Sequence, residues 1–138
     1  MKTANKIIPF VLALVFFASG AAKLAGLEFE VVAFERWGYP LWFMYLVGLI
    51  EVTGALFLLL RRTSALAGAG LAAFMTGAVG THVIHAEWGM LVVATVIMLL
   101  SARHAWIGLG KRGAAEQSLI RRNLPTRHQG SLSSHDSA

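Results

Sequence analysis

Lys23, Glu51 and His82 are the ionisable residues that fall inside long apolar stretches of this chain rather than at their ends. Groups of this kind are costly inside a membrane and are kept facing a partner or a polar cavity. A lysine, a carboxylate and an imidazole together allow two kinds of chemistry. One is an ion pair that staples two helices. The other is a polar pocket in which Glu51 or His82 takes a proton from, or hydrogen-bonds to, a small amphipathic ligand such as a quinone. Histidine is the side chain most easily tuned across neutral pH. Each of the three also shares its helical face with small residues. Ser19, Gly20 and Gly26 flank Lys23, Gly48, Gly54 and Ala55 flank Glu51, and Ala78 lies one turn from His82. Small neighbours favour positions that face another helix over positions that face lipid.

The stretches that carry these residues read as transmembrane helices. Of 138 residues, 57% are hydrophobic and 14% charged, against about 25% charged in ordinary soluble domains. Four runs approach the roughly 20 apolar residues that a bilayer span needs. They cover about residues 7–27, 41–60, 65–85 and 89–107. The links Arg61 to Ser64 and Ala86 to Trp88 are short, so successive helices are antiparallel neighbours. The longer segment EFEVVAFERWGYP reads as a loop, too short and too charged to be a span. The fold class is therefore all-α, an integral membrane up-down four-helix bundle. Residues 1–110 form this domain, and the basic segment 111–138 is expected to be a disordered cytoplasmic tail. Within it, AAEQSLIRRNL has the makings of a short amphipathic helix at the headgroups, and His128 and His135 carry no pattern. A competing reading takes Lys2 to Gly20 as a cleaved signal peptide, but the apolar run resumes after Lys23 and suits a full span better.

Charge sets the expected orientation. Lys2, Lys6, Arg61, Arg62, Arg103, Lys111, Arg112, Arg121, Arg122 and Arg127 fall on one side of this topology. Glu28, Glu30, Glu35 and Glu87 fall on the other, with Arg36 as the loop cation there. The positive-inside rule places both termini in the cytoplasm. The net charge of +5 thus reads as a topology signal, not a nucleic-acid surface. Trp37, Tyr39, Trp42 and Trp88 gather at the outer interface and Trp106 marks the inner one. At a rise of about 1.5 Å per residue, Lys23 and His82 lie roughly 6 Å below the outer boundary and Glu51 roughly 15 Å. Side chains tilt toward the start of their own helix. Lys23 and His82 therefore lean inward and Glu51 outward, which predicts a Lys23–Glu51 pair with His82 nearby.

The third span carries two stripes of small residues, Ala65-Ala69-Ala73-Gly77-Thr81 and Gly68-Ala72-Thr76-Gly80. They predict close packing within the bundle, with a homodimer seam as the alternative. The spacing His82-x-x-His85-x-Glu87 is compatible with a weak surface metal site, but no metal site is assigned on it. His82 and His104 lie near opposite ends of the bundle and cannot flank one haem iron. The chain has no cysteine, which excludes thiolate catalysis and disulfide exchange by this chain alone. It has no phosphate loop, nucleophile elbow or zincin motif.

Three segments, in this order, resemble the DoxX and DoxX-like families of four-helix bacterial membrane proteins. They are FFASGAAKLAG, WGYPLWFMYLVGLIEVTGALFLLL and AGAGLAAFMTGAVGTH. The resemblance covers about residues 7–107 and marks Lys23, Pro40 and Glu51 as motif positions. It implies an inner-membrane, multi-pass protein whose better-known relatives accompany redox complexes, among them a thiosulfate:quinone oxidoreductase. The expected role is a membrane-anchoring or quinone-proximal accessory subunit, with a redox-enzyme partner supplying the electron carrier. No intrinsic cofactor is expected and quinone is the candidate ligand. Membrane lipid and a homo-oligomer complete the expected partners, with no nucleic acid. The alternatives are a small-molecule transporter or permease, and a purely structural membrane partner.

Overall fold

The computed structural model describes residues 4–123. Lys2, Arg127, His128 and His135 lie outside the described residues. Five helices follow one another: α1 (Ala4–Leu24), α2 (Glu28–Arg36), α3 (Leu41–Leu59), α4 (Ser64–Ile84) and α5 (Trp88–Asn123). Four of them, all but α2, are long and apolar enough to cross a membrane. The chain is a multi-pass, all-helical membrane protein.

The spans associate as two tight pairs. α1 packs chiefly on α3, and α4 on α5, while contacts between the pairs are sparser. Glycine makes the first pairing possible. A Cβ on Gly20 would stand 2.7 Å from the Gly48 carbonyl oxygen, and one on Gly48 would stand 2.9 Å from that of Gly20. In lipid, where there is no hydrophobic drive between helices, such backbone approach is what holds them together. The core between the pairs is built on Leu12, Phe16, Leu58, Leu71 and Met75.

The small-residue stripes of α4 divide. Ala65 and Gly68 are buried, and a Cβ on Gly68 would meet His104 and Ser101 of α5. Farther along, Ala73, Thr76 and Gly77 are exposed, and a Cβ on Gly77 would meet nothing within 4 Å. The close packing therefore serves the first half of α4, and the second half leaves space.

Three expectations are corrected. The first span ends at Leu24, not Leu27, because Gly26 turns the chain in the left-handed region (φ 62°). The segment expected as a loop is largely the helix α2. Its acidic first turn (Glu28, Glu30) and basic last turn (Arg36) complement the helix dipole, and Phe34 is buried against Met44 and Val47. Finally, α5 does not end at Ile107. It continues as an exposed helix to Asn123, so the segment expected to be disordered is helical over 111–123, while 124–138 lies outside the described residues. At about 1.5 Å per residue α5 is roughly 54 Å long, well beyond a hydrocarbon core of roughly 30 Å.

Candidate functional site

A cavity of about 280 Å³ opens between the two helix pairs at the α2 end. Small side chains of α4 and α5 leave the space for it. Gly77 and Ala78 of α4 and Ala94 of α5 line one side, opposite Val47 and Glu51 of α3. Phe34, Trp37, Tyr39 and Phe43 cover it as an aromatic cap, with Phe34 5.2 Å from Trp37 and Tyr39 5.2 Å from Phe43 between ring centres.

Lys23 and Glu51 meet in this cavity. Lys23 Nζ stands 3.2 Å from Glu51 Oε2 and both residues are buried, 8% and 6% exposed. The ammonium donates to Ser19 Oγ (2.7 Å), one turn back on α1, and to Glu30 Oε1 of α2 (3.3 Å). It is thus shared by two carboxylates. The contact with Glu51 is close enough for an ion pair but off hydrogen-bond geometry, so Oε2 is buried without a hydrogen-bond partner. The Lys23 charge offsets part of the cost of burying that oxygen, and a well-aligned donor would offset more.

His82 lines the same cavity, but its hydrogen bond is made elsewhere. Nδ1 donates to Glu87 Oε2 at 2.8 Å, and the ring stands edge-on to Trp37 at 5.5 Å. Glu87 also receives Arg36, which ties α2 to the α4–α5 turn. Burial opposes ionisation of Glu87, yet the His82 hydrogen bond and the Arg36 charge outweigh it and hold its carboxyl below the ordinary range. Trp37 Nε1 lies near that carboxylate without meeting it in hydrogen-bond geometry, and is buried without a partner. Thr81 donates to the Gly77 carbonyl (3.1 Å) and so accepts from Tyr39 (3.1 Å).

Pro40 is not brought to the cavity. It occupies the N-cap of α3 (φ −71°, ψ 151°), where its missing N–H costs nothing and its ring sets the direction of entry. His85 does not join His82 and Glu87, since its Nδ1 donates to the Thr81 carbonyl at 2.9 Å. Among the described residues no three His, Asp or Glu side chains cluster as metal ligands. His104 belongs to the far end, sharing a 2.8 Å hydrogen bond with Ser64.

Glu30, Trp37 and Tyr39 were not singled out as site residues from sequence. Glu30 carried a usable signal, because Gly26 followed by an acidic pair is a helix stop and a helix start. Trp37 and Tyr39 carried none, since interface aromatics such as Trp42, 66% exposed, look the same in a sequence.

With this geometry in hand, the comparisons with known proteins decide the family. A family model described as DoxX-like matches residues 7–103. The chain belongs to the DoxX-like family. It is also 29% identical over 93 residues to the uncharacterized protein YdgD of Bacillus subtilis (strain 168), covering 64% of this chain and 82% of that protein. No solved structure matches it. The family match spans α1 to α4 and the first half of α5, and so includes every residue of the Lys23–Glu51–Glu30 cluster and its aromatic cap.

Proposed function

We propose that this DoxX-like protein binds a small amphipathic ligand of the quinone or quinol class in the α2-end cavity, as an accessory subunit of a membrane redox enzyme. The observation that carries the reading is buried Glu51 on the cavity wall, whose Oε2 is ion-paired to Lys23 at 3.2 Å but accepts no hydrogen bond. One lysine between two carboxylates leaves one negative charge unmatched. A ligand hydroxyl would supply the missing donor, or a proton from it would neutralise the excess. The apolar remainder of the wall, Phe74, Met90, Val93 and Ile97 among others, suits a ring or the start of a prenyl chain.

The distribution of cations supports a bacterial cell-membrane protein with cytoplasmic termini and the cavity toward the outer face. A transport path has less support, because the core of Leu12, Phe16, Leu58 and Leu71 fills the bundle below the cavity. With no cysteine in the chain, electrons would pass through a partner and this protein would hold and orient the carrier.

The test is purification in native-lipid particles, followed by solvent extraction and mass spectrometry of quinones and bound proteins. Co-purified quinone that is lost in Glu51→Gln, with folding intact, supports the reading. Absence of both quinone and any redox partner would defeat it.

A further inference from the structure

The opposite end of the bundle carries a second, larger cavity whose chemistry is different. It has a volume of about 640 Å³ and lies where α1, α3, α4 and α5 come together around the α3–α4 turn. Arg61, Lys111, Arg112 and His104 contribute its polar wall, and Phe10 and Leu59 its apolar one. The ion pairs found among the described residues all lie at the α2 end. None of the cations at this cavity has a carboxylate within ion-pair distance among the described residues.

Two further features give the cavity a net pull on an anion. The first turn of α4 opens beside it through Ser64 and Ala65, and that turn has no side-chain cap. The Thr63 hydroxyl instead donates to the Phe57 carbonyl at 3.0 Å. The Ser64 N–H goes to the Leu60 carbonyl at 2.9 Å, and no side chain caps the rest of the positive end of the α4 dipole. Arg112 donates to the Arg61 and Arg62 carbonyls, which fixes the α3–α4 turn against α5 and holds the cationic wall in place.

We propose that this cavity binds the headgroup of an anionic phospholipid, with the phosphate between Arg61 and Lys111 at the start of α4. An acyl chain would lie along the exposed flank of Phe10 and Leu59, 68% and 48% exposed. The apolar wall selects a lipid over a free anion, and the unpaired cations select an anionic over a zwitterionic headgroup. Each cation near such a surface is worth about a fivefold preference.

The test is native mass spectrometry of the full chain exchanged into phosphatidylglycerol, phosphatidylcholine, or detergent with inorganic phosphate. The expected result is retention of one phosphatidylglycerol per chain and little phosphatidylcholine. Arg61→Gln/Lys111→Gln should weaken that retention about 30-fold. Arg61→Lys/Lys111→Arg should keep it, and so should Arg36→Gln at the other end. If the double glutamine variant fails to fold, retention by the unaltered chain should still fall as salt rises. Equal retention of both lipids, salt-independent retention, unchanged retention in the glutamine variant, or full displacement by inorganic phosphate would each overturn the proposal.

Discussion

The two ends of the bundle solve the same problem in opposite ways. At the α2 end a core of charged groups is buried and braced: Lys23 serves Glu30 and Glu51, and Glu87 serves His82 and the exposed Arg36. At the far end Arg61, Lys111 and Arg112 are exposed, and among the described residues none has a carboxylate partner, while Arg112 donates to the Arg61 and Arg62 carbonyls. Buried charge must be matched within the protein, because leaving it alone costs several kcal/mol. Charge at the headgroup level can be left for water or lipid phosphate. The difference marks one end as a pocket built by the protein and the other as a surface completed by its surroundings.

Removing a cation from each end exposes the contrast most strongly. Lys23→Met strands two carboxylates and is expected to cost about 3–5 kcal/mol, read as a fall in the thermal midpoint in detergent. Lys23→Met/Glu51→Leu should recover much of the loss. Arg61→Gln should stay within about 0.5 kcal/mol of the unaltered chain. Comparable losses at the two ends would break the distinction.

The next effect concerns the frame that holds the pocket. Gly20→Leu drives a side chain into the Gly48 backbone and should cost about 1–3 kcal/mol or more. Gly77→Ala, where a Cβ meets nothing within 4 Å, should cost nothing and can raise stability by about 0.5–1 kcal/mol through chain entropy, which separates packing glycines from the rest of the small-residue pattern.

Smaller still is the α4–α5 turn. Ala86 takes a left-handed φ of 55°, the role glycine plays at Gly38 after α2. Ala86→Gly relieves about 1–2 kcal/mol of crowding and gives back about 0.5–1 kcal/mol in chain entropy. A net gain of up to about 1.5 kcal/mol in thermal stability is expected.

The smallest effect is in pH. The Glu87 carboxyl lies below its ordinary value in the folded protein. Its bracing of Arg36 and His82 is therefore fully present above the unfolded carboxylate range and is lost as pH falls through the lowered folded value. Acid titration of the unaltered chain should loosen the α2 end, read by tryptophan fluorescence. Glu87→Gln should flatten that response.

Much of this architecture is legible from residues alone. Four spans follow from run length, and the meeting of Lys23 with Glu51 follows from depth and side-chain tilt, quantities that a regular helix carries in its sequence. Where backbone departs from a straight helix, that logic fails. The turn at Gly26 folds α2 back over the pocket and delivers Glu30 to Lys23, seven residues away in sequence. His82 was placed beside the pair by tilt, yet its hydrogen bond goes to Glu87 because the turn at Ala86 brings that carboxylate back. The split in the α4 stripes was equally hidden, since it depends on what α5 presents opposite: Ser101 and His104 at one end, Ala94 at the other. The continuation of α5 was masked by a polar composition that fits an exposed helix as well as a disordered tail.

The central claim is that the Glu51 carboxylate, ion-paired to Lys23 but short of a hydrogen bond at Oε2, is there for a ligand. Its most direct test is titration of a short-chain quinone and its quinol into the full chain in lipid nanodiscs, followed through tryptophan fluorescence. Saturable binding is expected, weakened about 10- to 100-fold by Glu51→Gln, the worth of a charge-assisted hydrogen bond, with the thermal midpoint of the variant preserved. Binding of equal strength in the unaltered chain and the folded variant, or no binding by either, would contradict it.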